Sequence, residues 1–261
     1  MLNLNFRKMH GAGNDFVILD ARTEEITLSA DQMRHICDRH MGVGCDQLVV
    51  LHAPTGEGDI AAKFYNADGS ESGACGNATR CIGHIYMSEQ GSEACAIETA
   101  GGLLHATLTG ENLVTVNMGE PRDVRDLELS YAGLNNPVSV NMGNPHCVFF
   151  VDDAEAADVA GIGAHIETHE LFPDRTNVEF AQIIDRNTIR LRTWERGSGE
   201  TLACGTAACA TVVAAVRRDL TERTITIHAN GGDLQMEWRE ESGHIFMTGP
   251  VAYVFDGVLT N

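Results

Sequence analysis

The chain has 261 residues, a formal net charge of −19 and a pI of about 4.8. This length can hold two domains of ordinary size, and this charge opposes binding to nucleic acid or an anionic membrane, whose phosphates it would repel. No apolar run approaches bilayer-spanning length and residues 1–16 lack the apolar segment of a secretory leader, so the expected location is cytoplasmic, with reduced thiols. None of the eight cysteines forms a C-x-x-C pair, which withholds support from zinc and thioredoxin patterns. Six of the eight read as small buried hydrophobes.

In chain order, residues 4–20 read as strand, glycine-rich turn and strand, with His10-Gly11-Ala12-Gly13-Asn14 between two apolar runs. The G-x-G leads into the β-type run Phe16-Val17-Ile18-Leu19, where a dinucleotide motif needs a helix, so no nucleotide is expected. The spacing predicts a helix over 29–39, with Ser29 as N-cap and Met33, Ile36 and Cys37 as its apolar face. Gly42 and Gly44 mark a turn before strands over 47–51 and 61–66. A Gly/Ser-rich turn then runs into Cys75, and after it Ala78, Cys81, Ile82, Ile85 and Tyr86 recur at helical spacing until Gly91. Residues 94–108 and 113–118 read as hairpin strands, and the polar stretch 121–136 as the domain connection. Strands over 138–141 and 147–151 flank the loop Gly143-Asn144-Pro145-His146. A helix over 154–165 and a strand pair over 177–184 and 188–193 follow. A second Gly/Ser turn leads into Cys204 and a helix apolar all round, hence buried, which ends at Arg217-Arg218.

The second half repeats the first. Glu71–Cys81 and Glu200–Ala210 agree at five of eleven positions, with Cys75 recurring as Cys204, 129 residues on. Gly13-Asn14 recurs as Gly143-Asn144, Gly101-Gly102 as Gly231-Gly232, and Met118 with Pro121 as Met247 with Pro250, in the same order at offsets of 129 or 130. We therefore expect two copies of one domain, residues 1–119 (with 250–261 packing back on it) and 120–249, each a sheet enclosing a helix with a cysteine at its start.

A helix start offers free N–H groups and a positive dipole end, which attract an anion and favour a thiolate. Two such cysteines suit removal and return of the α-proton of an amino acid: a thiolate takes it from one face and a thiol delivers one to the other. The helix amides would hold the carboxylate on which charge develops. Only two lysines are present, Lys8 and Lys63, and nothing marks either as a Schiff-base lysine, so no pyridoxal phosphate is expected. From the residues alone a redox-active or metal-binding dithiol stays open, and oxidation is expected to join Cys75 to Cys204. His165 and His169, four apart, lack an evident third ligand, so no metal is expected.

The segments KMHGAGNDF, GCDQ, YNADGSESGACGN, GNPHCVFF, RTNVEF and WERGSGETLACGT together resemble the diaminopimelate epimerase family, pyridoxal-independent enzymes of the proline-racemase-like superfamily. The resemblance covers nearly the whole chain. It implies an α/β (α+β) fold of two pseudo-symmetric domains, each a β-sheet rolled around a central helix. It implies interconversion of LL- and meso-2,6-diaminopimelate, without a cofactor, on the way to lysine and peptidoglycan, by a homodimer. Carried over residue by residue, it makes Cys75 and Cys204 the acid/base pair, with His146 and Glu195 assisting. Gly76, Asn77, Gly205 and Thr206 would offer backbone N–H groups to the reacting carboxylate. Asn14, Gln47, Asn66, Asn144, Asn177, Glu195 and Arg196 would line the substrate pocket. Ala78 and Ala207 depart from the glycines usual in the family's two cysteine motifs. A two-thiol racemase of another amino acid is the alternative within the superfamily.

Overall fold

A computed structural model describes residues 3–73 and 75–260. Met1, Leu2, Ala74 and Asn261, which fall within the expected domain bounds and the first cysteine turn, lie outside the described residues. The chain divides into two compact units, one running through Val116 and resuming at Gly249, the other spanning Asn117–Thr248. Among the described residues no helix is long and apolar enough to cross a membrane.

The first unit opens with β1 (Asn3–Gly11) and β2 (Asn14–Asp20), an antiparallel hairpin. Its two-residue turn is Ala12-Gly13, both at positive φ (52° and 79°), which is the geometry that matches strand twist in a tight hairpin. The glycine-rich motif therefore makes a turn. Next come α1 (Ala30–Cys37), β3 (Gln47–His52), β4 (Ile60–Asn66), β5 (Glu71–Ser72) and α2 (Gly76–Gln90), then β6 (Ala94–Thr99), β7 (Gly102–Gly110) and β8 (Leu113–Asn117). Ser29 and Gln32 form a capping box at the start of α1, which buries Met33, Ile36 and Cys37 as the spacing requires. It stops two residues before Arg39, because Asp38 turns extended and its carboxylate accepts from the His40 and Met41 amides. Parallel pairing of β2 with β3 sets Phe16 opposite Gln47, and antiparallel pairing of β3 with β4 sets Gln47 opposite Asn66. α2 packs against β1, β2, β6 and β7, so the sheet curls around it, and every residue from Gly76 to Ile85 is buried. Gly91 closes the helix in the left-handed conformation.

The second unit contains β9 (Arg122–Asp126), β10 (Ser130–Tyr131), β11 (Leu134–Asn135), β12 (Val138–Asn141), β13 (Pro145–Phe150), α3 (Val159–Glu167), β14 (Asn177–Asp185), β15 (Thr188–Glu195), β16 (Gly199–Thr201) and α4 (Gly205–Arg217). It ends with β17 (Thr224–Ala229), β18 (Gly232–Trp238) and β19 (Ile245–Pro250); a last strand, β20 (Ala252–Thr260), pairs with β1 of the first unit's sheet. The stretch 121–136, read from its polarity as a connection, is structured: β9 pairs with β12, and β10 with β11. Its charged residues Arg122, Asp123, Arg125 and Asp126 lie exposed on β9. α3 begins at Asp158, whose carboxylate caps the Gly161 amide, so residues 154–157 precede the helix. β13 and β14 run parallel, with His146 opposite Asn177. α4 packs against β12, β13, β14 and β18, and its Ala and Val side chains up to Ala215 are buried on every face. Ala78 and Ala207 are fully buried in the first turns of α2 and α4.

One ion cluster braces the first unit's hairpin. Asp15 receives Lys8 Nζ at 2.5 Å and both Nη atoms of Arg39 at 2.7 and 3.0 Å, and Arg39 also reaches Asp46 at 2.8 Å. Burial alone would raise the Asp15 carboxyl, but Arg39 and Lys8 outweigh it and hold it at about 2. Because the folded value lies below the unfolded one, this contribution is fully present above about pH 4 and is lost as pH falls through about 2. Asp15→Asn, which leaves the buried Lys8 without its carboxylate, is expected to cost about 3 kcal/mol in urea denaturation at pH 7 and to flatten the acid limb of the stability profile.

Candidate active site

In each unit the cysteine occupies the same place. Cys75 is the N-cap of α2 (φ −145°, ψ 112°) and Cys204 the N-cap of α4 (φ −126°, ψ 118°), and neither side chain caps its helix. A thiol is a weak acceptor, so it competes little with another anion or oxygen for the first-turn N–H groups. The helices start cleanly because the cysteine carbonyls are already engaged, by Thr79 N at 2.8 Å and Ala208 N at 3.0 Å. Both cysteines are partly exposed, whereas the other six are buried, as their reading as small hydrophobes requires.

In the first unit Asn14, just past the hairpin turn, meets the start of α2. Its Oδ1 accepts from Asn77 Nδ2 at 3.1 Å and from the Cys75 thiol at 3.7 Å, while its Nδ2 donates to Asp46 at 2.8 Å. The strand comes this close because Gly11 has no side chain: a Cβ there would lie 2.8 Å from Arg80 Nη2 and 3.1 Å from the Asn77 carbonyl. Gln47 Nε2 donates to Asn66 Oδ1 at 3.0 Å, across the β3–β4 register, and Asn66 Nδ2 donates to Ser70 Oγ at 3.1 Å in the turn before Cys75.

The second unit carries a longer chain of contacts. His146 Nδ1 lies 2.7 Å from Glu179 Oε1, and its Nε2 lies 2.9 Å from Asn144 Oδ1. Asn144 Nδ2 donates to Thr206 Oγ1 at 3.3 Å, and Thr206 Oγ1 lies 3.4 Å from Cys204 Sγ. His146 thus reaches the thiol through two intermediaries. Asn177 spends both ends of its amide on backbone, donating to the Pro145 carbonyl and accepting from Arg196 N, each at 2.9 Å. This ties the Asn144 loop to the Glu195-Arg196 turn. Glu195 Oε1 accepts from Thr201 Oγ1 at 2.5 Å, and exposed Arg196 anchors one nitrogen on the Asp174 carbonyl at 2.8 Å. Burial pushes the Cys204 thiol well above the ordinary value, the Glu195 carboxylate adds to this, and donors from Thr206 and the Ala207 amide oppose it.

Four residues join these networks that sequence reasoning passed over: Asp46, Glu167, Glu179 and Thr201. Glu167 accepts from Trp194 Nε1 at 2.7 Å and from Gly197 N at 3.1 Å, bracing the turn after Arg196. Glu179 had a visible signal, since it is a charged residue inside the apolar run Val178–Ala181, two positions from Asn177 on the same strand face. Asp46 and Thr201 looked like ordinary turn residues. His165 stacks on Tyr131 with ring centroids 3.9 Å apart, and His169 Nδ1 accepts from Leu171 N, so both have structural partners. Among the described residues no cluster of His, Cys, Asp and Glu has metal-holding geometry.

Similar folds define the class first. A PhzF-family phenazine biosynthesis protein from Bacillus anthracis superposes with a TM-score of 0.77 over 100% of both chains at 16% identity. A hydroxyproline epimerase from Agrobacterium vitis gives 0.76 over 98% of this chain and 92% of its own, at 14% identity. The fold is that of the PhzF and proline-racemase-like proteins. Sequence narrows this further. The family described as diaminopimelate epimerase matches residues 6–124 and 138–254. Proteins named diaminopimelate epimerase are 49% identical in Rhodospirillum centenum, over 98% of this chain and 92% of theirs, and 50% identical in Gluconobacter oxydans, over 98% and 99%. The chain belongs to the diaminopimelate epimerase family.

Asn177→Ala would strip partners from the Pro145 carbonyl and the Arg196 amide, a loss of about 2 kcal/mol for two part-buried groups. Urea denaturation is expected to show that loss. Asn177→Asp, which keeps the acceptor for Arg196 N, is expected to lose less.

Proposed function

We propose that the protein interconverts LL- and meso-2,6-diaminopimelate, with Cys75 and Cys204 as its acid and base and no cofactor. The reading rests on family membership together with one local observation: each unit places a partly exposed, non-capping cysteine at the start of a buried helix. The thiolate of one cysteine removes the α-proton while the thiol of the other protonates the opposite face, so the product leaves with the two protonation states exchanged. Backbone N–H groups of Gly76, Asn77, Gly205 and Thr206 hold the α-carboxylate as it takes up enediolate charge. Asn14, Gln47, Asn66, Asn144 and Asn177 line the pocket. Glu195 meets an ammonium, and Arg196 offers its remaining N–H groups to the distal carboxylate as a fork. His146 assists from behind Asn144. Specificity follows from the polar lining, because a substrate lacking the distal zwitterion leaves these groups unpaired. The product serves lysine and peptidoglycan synthesis in the cytoplasm.

The acting form is a homodimer joined through the first unit's β20. That strand exposes Tyr253, Val254, Phe255 and Val258, and a hollow of about 650 Å³ beside it is lined by Phe6, Ile36, Met41, Val43, Phe255 and Val258. An apolar strand surface of this kind invites a second chain.

The chemistry is tested by proton NMR of LL-diaminopimelate in D2O without added pyridoxal phosphate. Meso product should appear carrying α-deuterium while the remaining substrate keeps its α-proton early on. Exchange with other amino acids only would reassign the substrate, and no exchange anywhere would overturn the reading. Cys75→Ala and Cys204→Ala should each lower kcat about 10³-fold, the scale of a lost proton-transfer group. The kcat/KM profile should be a bell whose two limbs belong to the pair. In sedimentation velocity the protein should run as a dimer and Phe255→Arg as a monomer; a monomeric wild type would remove the dimer.

A further inference from the structure

We propose that Glu179 is a positioning residue for the reaction: through His146, Asn144 and Thr206 it aims a hydrogen-bond donor at Cys204 Sγ. The proposal rests on the reading of Cys204 as one of the two acid/base thiols.

The direction of the chain follows from counting protons. Asn144 Nδ2 donates to Thr206 Oγ1, so Asn144 Oδ1 is the atom that faces His146 and must receive its Nε2–H. Thr206 Oγ1 accepts from Asn144 and keeps its own hydrogen to offer Cys204 Sγ, 3.4 Å away, which is the direction a thiolate requires. His146 Nδ1 and Glu179 Oε1, 2.7 Å apart, share the remaining proton, so Glu179 fixes the ring with Nε2–H toward Asn144 whichever of the two holds it. Two observations favour Glu179 as its holder. Glu179 is fully buried and its Oε2 has no hydrogen-bond partner, which is tolerable for a carbonyl oxygen and costly for half of a carboxylate. Burial also pushes its carboxyl up, with His146 acting against this.

The fold does not need this polar pair. In both units the strand after the Gly-Asn turn runs parallel to the next long strand. His146 faces Asn177 in the second unit where Phe16 faces Gln47 in the first. Counting two residues on from Asn177 and Gln47, Glu179 matches Val49. Phe16 and Val49 are fully buried and pack the same position with apolar side chains. Replacing such residues by a buried titratable pair brings a desolvation cost and no packing gain.

The two thiols also meet opposite partners. Without a histidine behind it, Asn14 turns its Oδ1 to Cys75, an acceptor that favours the protonated thiol. With His146 behind it, Asn144 is reversed, and Cys204 meets a donor that favours the thiolate. Around Cys204 the charged or titratable groups are Glu195 from β15, Glu179 from β14 and His146 from β13, with Thr206 and the Ala207 amide on α4. Glu195 and burial oppose the thiolate, so the donor must be held firmly. A neutral Glu179 does so without adding a second negative charge.

The test compares Glu179→Gln with Glu179→Val. Gln can donate an amide N–H to Nδ1 and place its carbonyl where Oε2 sits, so it keeps the tautomer; Val copies the first unit. Kinetics are measured with LL-diaminopimelate, and the pH dependence of Cys204 alkylation is followed by mass spectrometry of the iodoacetamide-labelled peptide. Glu179→Gln should keep kcat within about twofold. Glu179→Val should lose about tenfold or more in kcat with KM little changed, as expected for one hydrogen bond to an anion, and its Cys204 alkylation midpoint should rise. Wild-type kcat and an unmoved midpoint in Glu179→Val would overturn the proposal. So would ¹⁵N NMR of the wild-type protein showing His146 protonated at Nδ1 and bare at Nε2, a readout that stands even if Glu179→Val does not fold. Failure of the parent reading looks different: Cys204→Ala would then epimerise at the wild-type rate.

Discussion

A helix wrapped in its own sheet has few places to satisfy its first N–H groups. α2 and α4 are buried along most of their length, and their exposed residues lie at the C-terminal ends. At the N-terminal end stands a cysteine, which does not cap, instead of Ser, Asp or Asn, which would. The helix start is thereby left competent for a carboxylate, and the thiol beside it shares the same electrostatic environment. The surrounding features serve this arrangement: Gly11 lets β1 approach the first turn of α2, and Asn177 ties the Asn144 loop to the turn that carries Glu195 and Arg196.

The two units share a backbone plan and differ in chemistry. Equivalent asparagines, Asn14 and Asn144, follow equivalent glycine turns, yet one presents oxygen and the other nitrogen toward its cysteine's helix start. What stands behind each decides this: Asp46 receives the Asn14 amide in one unit, and His146 donates to the Asn144 oxygen in the other. The two cysteines thus stand in surroundings of similar backbone shape and unequal polarity. The unequal parts are the least symmetric in sequence, Phe16 against His146 and Val49 against Glu179.

Much of this could be read along the chain. Ser29 with Gln32, and the apolar spacing of Met33, Ile36 and Cys37, placed α1 to within two residues, because capping and amphipathicity are local. The helices after Cys75 and Cys204 were legible for the same reason. The stretch 121–136 was misread because polarity marks solvent exposure, and an edge strand such as β9 is as exposed as a linker. The helix expected from residue 154 starts at Val159, since helical spacing in a short run does not show that the Asp158 carboxylate caps the Gly161 amide.

The sequence by itself determined the family, the two cysteine motifs and which short segments turn or coil, since each is written in neighbouring residues or in motifs that recur at one offset. Only the tertiary structure decided which side chains meet. Asp46 with Asn14, Asn177 with Pro145 and Arg196, and Glu179 with His146 are brought together by strand register and by loops crossing from 19 to 33 residues of chain. Hydrogen-bond direction is likewise a property of the assembled network. Asn144 offers nitrogen to Thr206 because its oxygen faces His146, and no local pattern of residues encodes that orientation.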